Sequence, residues 1–107
     1  MDPNTKARNE ARARIIKAMA HPTRLFIVDE LSRRERCVCE LAGMVGADVS
    51  TVSKHLSVLR NAGIVLQEKR GNQIFCSLRC PCVLDFFSCV ESVLSASGAA
   101  RPAGVLP

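Results

Sequence analysis

The chain has 107 residues, a formal net charge of +5, six Cys, four Phe and neither Tyr nor Trp. That length holds one domain with a modest core of Leu, Val, Ile, Ala and Cys, and the basic balance suits a polyanionic partner. No apolar run approaches the roughly 20 residues a bilayer crossing needs. The polar start MDPNTKARNEARAR carries no secretory signal, so a cytoplasmic protein with reduced thiols and no membrane partner is expected. There, cysteines at 37, 39, 76, 80, 82 and 89 point to soft-metal binding or redox sensing more than to disulfides.

Residues 5–19 place Ala7, Ala11, Ile15 and Ala18 at helical spacing among Lys and Arg, which predicts a first helix. His21-Pro22-Thr23 interrupts it, and Pro22 suits the first turn of a second helix, Thr23 to Ser32, expected to be largely buried through L-F-I-V. A short third helix at about 38–46 has Val38, Leu41, Ala42 and Val45 on its core side. Gly46 to Asp48 is a turn.

The fourth helix is expected from Ser50, a good N-cap residue, to the stop at Ala62-Gly63. Val52, Leu56 and Leu59 share its core arc. Ser50, Lys54 and Ser57 lie opposite, flanked by Thr51 and Ser53. A short helix, a tight turn and a helix with a wet Ser/Thr/Lys face form the helix-turn-helix pattern, whose second helix enters the major groove. Two β-rich runs, Ile64–Gln67 and Gln73–Leu78, then bracket R-G-N, a hairpin with Lys69 and Arg70 at its tip. Pro81 permits a last helix, VLDFFSCVESVLSA at 83–96, apolar on more than one side and so expected to pack against another chain. Residues 1–96 thus read as one DNA-binding and dimerisation domain and 97–107, rich in Gly, Pro and Ala, as a flexible tail.

H-P-T-R-L at 21–25, C-V-C-E-L at 37–41, S-T-V-S-K-H-L-S-V-L-R-N-A-G-I-V at 50–65 and K-R-G-N-Q-I-F at 69–75, in this order, resemble the ArsR/SmtB family of winged-helix metalloregulatory repressors, its arsenic- and antimony-sensing members most. The resemblance implies a mainly α fold of five helices with a β-hairpin wing. It also implies a homodimer paired through first and last helices, bound to a partly palindromic operator and released by a metal or metalloid.

In the family's arsenic sensors the third helix carries C-V-C-x-x-C, whereas the third position here is Ala42. Cys37 and Cys39 are nevertheless the first-choice ligands. On a regular helix they would point about 200° apart, so sharing one ion requires the first turn to unwind, and binding is thereby coupled to the recognition helix. The rival set is Cys82, Cys89 and Cys80. Within one helix Cys82 and Cys89 stand ~10.5 Å apart along the axis, but an antiparallel pair of last helices brings Cys82 of one protomer to Cys89 of its partner, with Cys80 as a third thiolate. Thiolates without His or carboxylate favour As(III), Sb(III), Cd(II) or Pb(II), and all-thiolate Zn(II) remains open. Cys76 alternates with Ile74 and Leu78 in a strand and is expected in the core. Small-residue packing is the bland reading of every one of these cysteines.

Ser50, Thr51, Ser53, Lys54 and Ser57 form the groove-facing candidates, with Arg60 a phosphate contact at the helix end and Lys69 and Arg70 contacts at the wing. His55 borders the core arc, where structure and DNA contact compete. Hydroxyls bond base edges and phosphates alike, so no operator sequence follows from them. A thiol-redox-switched repressor of the same fold and a metalloid-sequestering protein are the other functional classes. An enzyme is not expected, because no nucleophile-base set and no phosphate-binding loop are present.

Overall fold

A computed structural model describes residues 1–98. The expected tail lies outside the described residues beyond Gly98. Helix α1 (Pro3–Met19) starts where the Asp2 carboxylate accepts the Thr5 amide at 2.7 Å, with Pro at its first position. Helix α2 (Pro22–Leu31) starts one residue earlier than the periodicity predicts, because His21 serves as N-cap through its own imidazole. Only its inner side is buried: Ile27 and Val28 are fully enclosed, while Leu25 and Phe26 stay 41% and 39% exposed.

Strand β1 is the two-residue piece Arg36–Cys37, followed without a break by helix α3 (Val38–Val45) and helix α4 (Val49–Asn61). Gly46, at φ 79°, ends α3 in the left-handed region, where a Cβ is strained. Strands β2 (Val65–Arg70) and β3 (Gln73–Leu78) form the wing, turning at Gly71-Asn72 with Gly71 at φ 61°. Helix α5 (Val83–Ala96) closes the described chain.

The sheet is antiparallel in the order β1-β3-β2. Arg36 pairs with Cys76 and Cys37 with Phe75, and on the other edge Val65 pairs with Leu78 through to Arg70 with Gln73. The periodicity predicts the hairpin but not β1, which no local pattern marks. Helices α2, α3 and α4 pack on one another and on the sheet around Ile27, Val28, Leu41, Val52, Leu56, Leu59, Val65 and Cys76, all fully buried. Val52, Leu56 and Leu59 come from one arc of α4, as the spacing requires.

Helix α5 is different: none of its residues is buried. Val83, Leu84 and Phe87 lean on the core, whereas Phe86, Val90 and Val93 are 41%, 42% and 65% exposed. Phe86 and Val90, with Ile16 and Met19 of α1 and Phe26 of α2, line an apolar groove of about 720 Å³.

Leu56→Ala, which hollows the contact between α4 and the core, is expected to cost about 3 kcal/mol in urea unfolding. Val58→Ala on the exposed side of the same helix is expected to stay within about 0.5 kcal/mol of wild type. Equal losses at both positions would contradict this packing.

Candidate functional site

The helix-turn-helix unit is α3, the turn Gly46–Asp48, and α4. The N-cap of α4 is Asp48 rather than the expected Ser50: its Oδ1 accepts the Thr51 amide at 2.8 Å and the Ser50 hydroxyl at 3.1 Å. Hydrogen bonding from Thr51 and then Ser50 holds the Asp48 carboxyl below its ordinary range. A carboxylate suits this position because it also faces the positive end of the helix dipole.

Starting α4 earlier leaves its face where the sequence places it but shifts the emphasis. Ser50, Thr51 and Lys54 are exposed, while Ser53 and Ser57 are half-buried at the edge. Val58 and Asn61, on the same open arc, are exposed too. The sequence reading passes over Val58 because an apolar residue looks like core. At 39% exposure it offers the apolar contact a thymine methyl group takes in a major groove. Arg60 is exposed and its NH1 donates to Gln67 Oε1 at 2.9 Å, tying the end of α4 to β2.

His55 sits apart from this face. It is half-buried, its Nδ1 stands 3.2 Å from Arg24 NH1, and its ring lies 4.4 Å from that of His21. Of its two expected roles, the structural one matches these contacts.

At the wing, Lys69 is exposed. Arg70 is exposed as well but already paired: NH2 donates to Glu35 Oε2 at 3.1 Å, Nε to Glu68 Oε1 at 3.1 Å, and its guanidinium carbon lies 4.8 Å from the centre of the Phe75 ring. The hydrogen bond to Arg70 lowers the Glu35 carboxyl below its ordinary value. Arg70 therefore joins the loop before β1 to the wing, a role invisible to a reading that sees only a basic hairpin tip.

The thiols divide by environment. Cys76 is fully buried, as expected, with Gln67 Nε2 3.5 Å from its sulfur, and burial pushes the thiol up. Cys37 does not lie on α3 beside Cys39. It is the last residue of β1 and the N-cap of α3, in extended backbone at φ −78°, ψ 159°. With Cys37 outside the helix, the two thiols are not set 200° apart by helical geometry but are separated by environment: Cys37 is 6% exposed and Cys39 is exposed.

Glu40, three residues into the helix, accepts the Cys37 amide at 3.1 Å. That bond is the first cause of its lowered carboxyl, followed after burial by Cys37 again, Arg34 and Arg36. The spacing C-x-x-E is a capping box with Cys where Ser or Thr usually stands, a signal present in the sequence. Arg36 fastens the same strand end, reaching Glu30 and Glu40 at 3.4 Å each. Cys80, Cys82 and Cys89 are exposed. Among the described residues no three His, Cys, Asp or Glu side chains are gathered to hold a metal ion.

A donor-bearing helix beside a wing can read a duplex, and thiols at the root of that wing can couple it to a soft ligand. Comparisons with known proteins agree with the first part. The family model for the bacterial regulatory protein, arsR family, matches residues 21–66. The uncharacterized HTH-type transcriptional regulator Rv0081 of Mycobacterium tuberculosis is 35% identical over 85 residues, covering 78% of this chain and 75% of that protein. The cadmium resistance transcriptional regulatory protein CadC homolog of Staphylococcus aureus is 37% identical over 67 residues, 62% of this chain and 55% of that protein. The homodimeric winged helix-turn-helix DNA-binding domain Mb0332 of Mycobacterium bovis, solved by NMR, superposes with a TM-score of 0.77 at 26% identity, over 95% of this chain and 96% of that one. With α4 held beside a three-stranded wing and these relatives spanning the same elements, the chain belongs to the arsR family of bacterial regulatory proteins and is a winged-helix transcriptional regulator, not an enzyme.

Proposed function

We propose that the protein is a cytoplasmic, homodimeric repressor that holds operator DNA with α4 and the wing and releases it when Cys37 and Cys39 take up a thiophilic metalloid, As(III) or Sb(III). The observation that carries the reading is the double duty of Cys37. It pairs with Phe75 of the wing strand and at once caps the helix that packs on α4. An exposed Cys39 two residues on can join it at one ion only if the buried Cys37 sulfur comes out. Moving Cys37 loosens the β1–β3 pair, the Glu40 bond and the first turn of α3 together. Ligand and DNA then favour different arrangements of one element, and each weakens the other's binding by the same factor.

Soft thiolates suit the metalloids, and also Cd(II), Pb(II) and Zn(II), which stay as alternative inducers. The position that completes the trio in the family's arsenic sensors is Ala42, 5% exposed here, so a third thiolate comes from elsewhere. The exposed Cys80, Cys82 and Cys89 form the rival, separate site between two last helices, with Cys80 as its third thiolate. The bared apolar stripe of α5 and the groove it makes with α1 and α2 give the dimer its surface, and a second copy covering Phe86, Val90 and Val93 removes exposed apolar side chains from water. Ser50, Thr51, Lys54 and Lys69, with Ser53, Ser57 and Arg60 at the margins, are the DNA contacts. Oxidation of the same thiols without a metal is the second reading, favoured by the exposure of four of the six.

A duplex enriched by the protein from a randomised pool serves as probe, followed by fluorescence anisotropy. As(III) is expected to release wild type and Cys82→Ser/Cys89→Ser but not Cys37→Ser/Cys39→Ser, which still binds DNA. Release that survives the loss of Cys37 and Cys39 would remove the preferred site, and release by peroxide alone would remove metal sensing. On the same duplex, Glu35→Gln/Glu68→Gln removes both carboxylates that hold the Arg70 guanidinium. The slope of log affinity against log salt is then expected to steepen by about 0.9 per protomer, whereas an unchanged slope would keep Arg70 off the phosphates.

A further inference from the structure

Three cationic or titratable side chains meet where α2 crosses α4. Arg24 stands in the first turn of α2, His21 caps that helix, and His55 lies midway along α4. A guanidinium can only donate. With Arg24 NH1 3.2 Å from His55 Nδ1, that nitrogen accepts, so the imidazole is neutral and carries its proton on Nε2. His21 Nδ1 accepts the Thr23 amide at 3.1 Å, and is unprotonated for the same reason. The rings are 4.4 Å apart and tilted by 41°, too close for two imidazolium charges beside an arginine. Arg24 Nε is buried and has no hydrogen-bond partner, so the guanidinium stays in this crossing at the expense of its own hydrogen bonding.

We infer that Arg24 is a positioning residue for DNA binding, holding the recognition helix through a neutral His55, and that protonation of His55 releases that hold and weakens DNA binding. The inference rests on the operator-binding reading above. It goes beyond it by adding a second input to α4, independent of the thiols.

The direction with pH follows from what surrounds His55. Burial first, then His21, then Arg24 lower its protonation below the ordinary value of 6.5. Helix α4 packs against α1, α2, α3 and β2, and the titratable groups that act on His55 from them are His21 and Arg24, both of α2. Among the described residues no carboxylate is found to act on His55, so a proton there meets only positive charge. In the window below 6.5 the unfolded chain binds more protons at this site than the folded one, and the stability of the α2–α4 crossing falls as pH falls. Above it the contribution is complete.

Two measurements test this. In long-range proton-nitrogen correlation spectra of the wild-type protein near pH 7.5, both imidazoles are expected as the Nε2–H tautomer, and an Nδ1–H tautomer at His55 would overturn the inference without any DNA present. By anisotropy with the enriched duplex, wild-type affinity is expected to fall as the pH is lowered from about 7.5 to about 5.5, the direction set by the lowered His55 pKa. His55→Asn sets an amide oxygen near the place of Nδ1 and cannot titrate, so it should keep the affinity and flatten the profile. Arg24→Met should lose about tenfold already at the higher pH, the equivalent of one charge-assisted hydrogen bond. A His55→Asn profile as steep as wild type overturns this inference alone. A pool from which wild type enriches no duplex overturns the operator reading, and the tautomer then still reports on the crossing itself.

Discussion

One residue in extended backbone organises the regulatory half of the molecule. Cys37 ends β1, pairs with Phe75, and caps α3 with its amide given to Glu40. Because strand and helix share this residue, nothing flexible separates the third strand of the sheet from the first helix of the helix-turn-helix unit. Arg36, reaching Glu30 and Glu40, fixes the same junction to α2 and α3. A few residues earlier Glu35 reaches across to Arg70 of the wing. Helix α4 and the wing, which carry the proposed DNA contacts, thus both adjoin elements that meet at Cys37, and a change there has a mechanical path to each.

The core sets limits on how far that change can travel. Leu41 of α3 and Val52, Leu56 and Leu59 of α4 are fully buried against each other and against α2. Close-packed interfaces of this kind shift between discrete arrangements and do not stretch. A displaced first turn of α3 therefore moves the α3–α4 pair as a unit. The crossing of Arg24 and His55 adds a polar, pH-sensitive contact between α2 and α4 to this apolar packing.

Much of the fold was legible in the residues. Pro22 and Pro81 announce two helices, Gly46 and Gly63 stop two more, and the change from helical spacing to β-rich runs around R-G-N gives the wing. What escaped depends on partners distant in sequence. Strand β1 exists because Arg36 and Cys37 meet Cys76 and Phe75, and two residues carry no periodicity of their own. The cap at Asp48 was hidden among D-V-S-T, where three residue types can cap and only the backbone decides. Arg70 looked like a free wing cation because Glu35 lies thirty-five positions away. For the site, cysteine chemistry could be read from C-V-C, but the environments of the two thiols could not, since one sits in a strand and the other on a helix. The bare stripe of α5 was expected from its composition, and it is bare in the single chain.

The most direct test of this account is amide hydrogen exchange on the β1–β3 pair with and without As(III), in the absence of DNA. Protection at Cys37 and along β3 around Phe75 should fall when As(III) is added to wild type, and stay unchanged in Cys37→Ser/Cys39→Ser. If As(III) releases DNA from wild type while protection at this pair is untouched, the junction at Cys37 is not the transmitting element and the account is wrong at its centre.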